Sequence, residues 1–166
     1  MVCQPLIGRG TRKQTFEESE VEKIMMSYYA KITRQKDQSY LVEFPELEGC
    51  LTEGRSMEEA LDHAKEALDG WLAARCDREF NIPKSLPRRS RKFHAIEVSL
   101  TVAFAIRLRR LRIKRGLTQA EVAKRLTISQ QAYAKLETPL KTNPSLQTIE
   151  RISAALSADV DLLLAA

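Results

Sequence analysis

The sequence predicts an α+β protein in two parts: a small antiparallel sheet carrying one long helix, then an all-α bundle of about five helices. Three observations predict it. Two aromatic and β-branched runs lie close together between residues 28 and 44. A single long amphipathic stripe opens behind a capping signal at Ser56. From Thr101 the apolar period is helical, punctuated by Gly116, Pro139 and Pro144. The expected division is a poorly ordered leader over residues 1–24, a sheet domain over 25–100 and a helical domain over 101–166.

The leader has no clear period and little apolar content. Met25 and Met26 stand directly before the first strand, and the codons of Val21-Glu22-Lys23 could spell a purine-rich ribosome-binding site. Translation is therefore open to starting at either methionine, which an intact mass from the native host decides. The first strand is Tyr28 to Thr33 and the second Tyr40 to Phe44, joined as a hairpin through the polar stretch Arg34–Ser39. Tyr40, Val42 and Phe44 share a face, and Cys50 to Glu53 is a short third strand. Ser56 and Glu59 form an S-x-x-E capping box. Behind it, Met57, Ala60, Leu61, Ala64, Leu68, Trp71 and Leu72 make one apolar stripe, running to about Phe80. Residues 81–93, with two prolines and the basic run Arg88-Arg89-Ser90-Arg91-Lys92, read as a solvated connection. His94 to Leu100 alternates, with Ile96, Val98 and Leu100 on one face. It is a last strand that either returns to the sheet or pairs with a second copy.

Charge and composition narrow the function classes. Between Asp37 and Glu79 there are twelve acidic residues against four basic ones; between Arg88 and Arg115 there are ten basic against one acidic. An acidic front and a basic back suggest two partners of opposite sign. No apolar run approaches the ~20 residues of a membrane span, and the first residues lack the apolar core of a signal peptide, so the expected compartment is the cytoplasm. Three cysteines, widely spaced, indicate neither a disulfide framework nor a metal site, and no cofactor is implied.

In the helical part, Val102, Ala105, Ile106, Leu108 and Leu111 form an apolar face surrounded by Arg107, Arg109, Arg110, Arg112 and Lys114, with Gly116 as the stop. Thr118-Gln119-Ala120-Glu121 is a second capping box opening a short helix through Leu126. Thr127-Ile128 is a tight turn, and Ser129 caps another helix to about Thr138. Asn143 and Pro144 are read as cap and first residue of a fourth helix with Leu146, Ile149, Ile152 and Leu156 facing inward; a last helix spans Asp159 to Leu164. Two short helices about a tight turn, with Ala123 small at their crossing, are a helix-turn-helix. Its second helix presents Ser129, Gln130 and Gln131 to the major groove, and a glutamine amide can bond adenine N6 and N7 together. Thr118 and Gln119, at a helix N-terminus, are placed for a phosphate. Arg115, Lys135 and Lys141 supply sequence-independent charge contacts. Tyr133 and Leu136 belong to the core.

The run Thr118-Gln119-x-x-Val122-Ala123-x-x-Leu126-x-Ile128-Ser129-Gln130-Gln131 resembles the phage-repressor (Xre) type of helix-turn-helix. Two residues depart from that pattern: Thr127, where glycine is usual, and Tyr133, where Val or Ile is usual. At Thr127 either φ stays negative or a left-handed cost is met locally. The first half resembles the HicB antitoxin family. The carrying residues are the strand Tyr28–Ile32, the stretch Tyr40-x-Val42-x-Phe44-Pro45-x-Leu47-x-Gly49-Cys50-x-Thr52-x-Gly54, and the helix Glu59-Ala60-Leu61-x-x-Ala64-x-x-Ala67-Leu68. That resemblance implies a partial RNase H-like sheet and a homodimer or higher homo-oligomer. It also implies neutralisation of a small basic RNA-cleaving toxin, HicA, and repression of the shared operon through a palindromic operator. The acidic front agrees, since an RNA-cleaving partner is basic. A nuclease is the main rival. Against it, Lys31 and Thr33 stand where a metal-binding acid is wanted, and the spacing of Glu43, Glu46, Glu48 and Glu53 forces no convergence; no enzyme is expected. A repressor sensing a small ligand through its front domain is the other alternative. His63 and His94 are read as structural or exposed.

Overall fold

The computed structural model describes residues 26–77, 82–88 and 90–164, so the leader lies outside the described residues. These form strands β1 (Ser27–Arg34), β2 (Tyr40–Glu43) and β3 (Leu51–Gly54), helix α1 (Met57–Asp77), and strand β4 (Phe93–Glu97). Five helices follow: α2 (Leu100–Lys114), α3 (Gln119–Leu126), α4 (Gln130–Leu136), α5 (Leu146–Leu156) and α6 (Asp161–Leu164).

The four strands make one antiparallel sheet in the order β3-β2-β1-β4. Of the two placements open to the last strand, it returns to the sheet, with Tyr28 opposite Ile96 and Lys31 opposite Phe93. It is shorter than its alternation suggests. Val98 continues the buried face, but Ser99 turns the chain, and Leu100 begins α2 with 67% of its surface exposed. Helix α1 covers one face of the sheet, burying Ala60, Ala64, Leu68 and Leu72 against Tyr28, Ala30, Val42 and Phe44. Met57, expected in this stripe, is exposed in the first turn, ahead of the core.

The entry to α1 is tight. Glu59 N–H donates to the Ser56 hydroxyl at 3.1 Å, while the Glu59 carboxylate accepts from Arg55 N–H at 2.7 Å, one residue earlier than in the standard box. A Cβ at Gly54 would collide with the Ala60 backbone, so only glycine lets helix and strand approach this closely. The described part of α1 ends at Asp77, and the expected continuation to Phe80 lies outside the described residues.

Helix α2 belongs to two cores. Val102, Ala103 and Ile106 pack with the sheet and α1, whereas Phe104 and Leu108 pack with Val122, Leu126, Tyr133, Ile149, Ile152, Leu156 and Leu163. Five consecutive residues, Val102 to Ile106, are buried. The two cores are thus built on opposite sides of one helix.

Two helix starts differ from expectation. Ser145, not Asn143, caps α5: its hydroxyl accepts from Thr148 N–H at 3.2 Å, which puts Pro144 outside the helix. Leu146, expected to face inward, then sits in a first turn that projects beyond the core and is 72% exposed. The last helix starts at Asp161, two residues after Asp159. Among the described residues, no helix is long and apolar enough to cross a membrane.

Candidate nucleic-acid interface

The helix-turn-helix is α3, the turn at Thr127-Ile128, and α4. Its first helix is fixed by a complete capping box: the Thr118 hydroxyl accepts from Glu121 N–H at 3.2 Å and Glu121 Oε2 accepts from Thr118 N–H at 2.7 Å. Those bonds to Thr118 hold the Glu121 carboxyl below its usual range. Val122, Ala123 and Leu126 are buried, and the small Ala123 lets α4 approach closely. The turn is a Schellman closure, with Ile128 N–H to Ala123 O at 3.0 Å and Thr127 N–H to Lys124 O at 3.1 Å. Of the two possibilities at Thr127 the left-handed one holds, at φ 56° and ψ 44°. The same closure ends α2 at Gly116 (φ 66°) and α5 at Ser157 (φ 49°), so one of the three uses glycine.

Helix α4 starts at the expected cap. The Ser129 hydroxyl accepts from Ala132 N–H at 3.1 Å, and Gln130 and Gln131 project exposed from the first turn. Lys135 is exposed on the same helix and Lys141 in the following loop. Tyr133 is fully buried and Leu136 packs against the core, as their spacing requires. The exposed polar residues of α4 are therefore presented by an anchored, rigid element, the arrangement that base reading needs.

Three expected contact residues are committed elsewhere, Thr118 through both its N–H and its hydroxyl to Glu121 Oε2 at 2.7 and 2.8 Å. Gln119 Nε2 donates to Glu137 Oε2 at 3.0 Å, leaving its second amide hydrogen. The Arg115 guanidinium donates to the Ser157 carbonyl at 2.7 Å and lines an open cleft of about 420 Å³ with Glu150, Ser153 and Asp159, at the far end of α5.

Glu137 is the residue that sequence reasoning missed. It follows α4 directly, is 4% exposed, and is held bidentately by Arg112: Nε to Oε1 at 2.5 Å and Nη2 to Oε2 at 2.9 Å. Burial pushes its carboxyl up, but hydrogen bonds from Arg112 and Gln119, with the Tyr133 hydroxyl close by, outweigh that and hold it below the usual range. The Tyr133 hydroxyl is itself pushed up, by burial first and then by the Glu137 charge. One buried carboxylate thus ties α2, α3 and α4 together. A signal was present: an acid at a helix C-terminus opposes the helix dipole and needs a cation. The basic residues around α2 are correspondingly less free than their number suggests. Arg109 donates to the Cys76 carbonyl, Arg110 to that of Ile82, and Arg88 pairs with Glu46 at 2.7 Å.

On the front domain, Glu53, Glu58, Asp62 and Glu66 are exposed along β3 and the outer side of α1. His63 lies among them, its ring Nδ1 2.7 Å from the Glu53 carbonyl; that bond and the neighbouring carboxylates raise its pKa. Lys31 pairs with Glu43 at 3.5 Å across the sheet. Among the described residues no cluster of His, Cys, Asp or Glu could hold a metal ion.

A small sheet domain with an acidic helix is thus joined to a capped helix-turn-helix that exposes polar side chains, the arrangement of a DNA-binding protein. Residues 28–107 match the HicB-like antitoxin of bacterial toxin–antitoxin systems, and residues 108–163 match a helix-turn-helix family. The chain belongs to the HicB-type antitoxin family and carries an Xre-type helix-turn-helix domain. It is 27% identical over 139 residues to antitoxin HicB of Escherichia coli, covering 84% of this chain and 99% of the relative. Antitoxin HicB 1 of Photorhabdus laumondii is 26% identical over 137 residues, covering 82% and 86%. The UPF0150 protein Ta0767 of Thermoplasma acidophilum is 36% identical over 59 residues, covering 36% of this chain and 86% of its own.

Proposed function

We propose that this chain neutralises a small basic RNA-cleaving toxin of the HicA type by covering it, and represses the operon encoding both proteins. The observation that carries the reading is the joining of an acidic antitoxin-family domain to a capped helix that exposes Gln130 and Gln131. Neutralisation is steric and electrostatic and calls for no chemistry by this chain: carboxylates on α1 and β3 meet the cationic surface with which such a toxin holds RNA. Operator reading falls to Ser129, Gln130 and Gln131. The remaining amide hydrogen of Gln119, with Lys135, Lys141 and Arg115, serves the phosphates, while Thr118, whose N–H and hydroxyl both donate to Glu121, holds the helix start. Two copies place two reading helices about one DNA turn apart, or a multiple of it, on a palindromic site.

The test is purification of the tagged chain from its native host, with mass spectrometry of what it retains and footprinting on its own upstream DNA. A stoichiometric small basic protein and a palindromic footprint support the reading. A footprint without a protein partner transfers the front domain to ligand sensing.

A further inference from the structure

The C-terminal end of the reading helix is held from the antitoxin domain as well as from within the helical half. Cys76, in the last described turn of α1, is 2% exposed and its thiol lies 3.7 Å from the Glu137 backbone carbonyl, within weak hydrogen-bond reach. That carbonyl closes α4, where a helix leaves its acceptors without intrahelical partners. The Cys76 carbonyl in turn accepts from Arg109 Nη1 at 2.5 Å. Arg109 and Arg112 stand three residues apart on α2, hence on neighbouring positions of one side. One grips the end of α1, the other grips the Glu137 carboxylate at the end of α4. Glu137 is therefore fastened by its side chain to α2 and by its backbone to α1.

We infer that Cys76 and Arg109, both outside the helix-turn-helix motif, are positioning residues for operator recognition. They set the seating of α4 through the Glu137 backbone, and so decide how well Gln130 and Gln131 meet base edges. A displacement of about 1 Å at one end of a two-turn helix is enough to spoil a bidentate amide–adenine pair, while contacts to phosphates tolerate it. The inference rests on the DNA-reading role proposed above.

The experiment compares the full chain with Arg109→Met, Arg109→Lys, Cys76→Ala and Cys76→Ser. Binding is measured to duplexes tiled across the DNA upstream of its own gene and to a scrambled duplex, each over a salt series. Arg109→Met and Cys76→Ala are expected to lower the preference for own over scrambled DNA by about 3- to 30-fold, the range of remote substitutions on a coupled site. Affinity for scrambled DNA and the salt slope stay unchanged, because no phosphate contact is lost. Arg109→Lys and Cys76→Ser, which keep a donor, restore most of the preference. Trp71, the chain's one tryptophan, lies in α1 five residues before Cys76, and its fluorescence reports whether each variant keeps the joint folded. Unchanged preference in all four variants overturns the proposal, as does equal loss on both DNAs. A wild-type chain with no preference overturns the DNA-reading role beneath it, and the proposal with it.

Discussion

Glu137 keeps a negative charge inside the protein at the end of a helix, where both burial and the dipole oppose it. Only its partners make this tolerable, so Arg112→Met should destabilise the protein by about 3–5 kcal/mol, the cost of leaving a buried charge alone, read from denaturant midpoints. The folded Glu137 carboxyl titrates below its ordinary value of 4.5. Its contribution is therefore complete above that value and is lost as pH falls through the lower folded one. The stability gap between wild type and Glu137→Gln should accordingly be wide at neutral pH and narrow as pH falls below 4.5 through the lowered folded value; a gap constant with pH contradicts the assignment. Thr127 is the converse case, a β-branched residue in the left-handed region. Thr127→Gly relieves a cost of about 1–2 kcal/mol, offset by glycine's added freedom when unfolded, for a net gain of about 0.5–1 kcal/mol in thermal or chemical unfolding. At this scale the sequence showed where a departure lay but not its sign. That Thr127 breaks the family pattern is visible in the letters; which way its φ turns is decided by the closing bonds to Ala123 and Lys124.

Among the elements, α4 has the most direct consequence. Gln130→Ala and Gln131→Ala should each remove about 1–3 kcal/mol of discrimination against the wrong base, measured as own versus scrambled DNA affinity. Lys135→Ala should weaken both DNAs alike and lower the salt slope by about one. Operator preference surviving the glutamine changes would show that other side chains read the bases. The caps of α1, α3 and α4 were legible because a Ser or Thr with its acid three residues on, or a Ser at a turn, is a local signal with a local cause. The start of helix α5 is ambiguous in the sequence because Asn143-Pro144 and Ser145 are both good openings, and the choice depends on where the core begins. Helix α2 was read as one-sided, whereas Ala103 and Phe104 are buried too. A helix with a core on each side has no single stripe for periodicity to find.

Across the whole molecule, sharing α2 should couple the two halves into one cooperative structure. Heat or urea should unfold them in a single transition, with Trp71 fluorescence and far-ultraviolet circular dichroism coinciding. Two separated transitions would show that the halves are held together only by the chain. The fold class and the strand order up to the hairpin follow from the alternation in residues 28–54, but the return of β4 to the edge beside β1 does not, since an alternating strand is equally suited to a second copy. The acidic front is equally visible in both. The basic back is less so, because Arg88 and Arg112 answer buried or half-buried acids in distant segments.

The two-sided packing of α2 also bears on how such proteins can be recombined. A new DNA-reading head cannot be exchanged at a junction before Leu100 without also replacing Val102, Ala103 and Ile106, which the sheet domain needs. A junction at the far end of the helix, beyond Lys114, strands Phe104 and Leu108 against a foreign surface. A working hybrid must therefore carry a composite helix, with one flank from each parent, so that substitution within α2 rather than splicing around it governs which sheet domain can be matched with which helix-turn-helix.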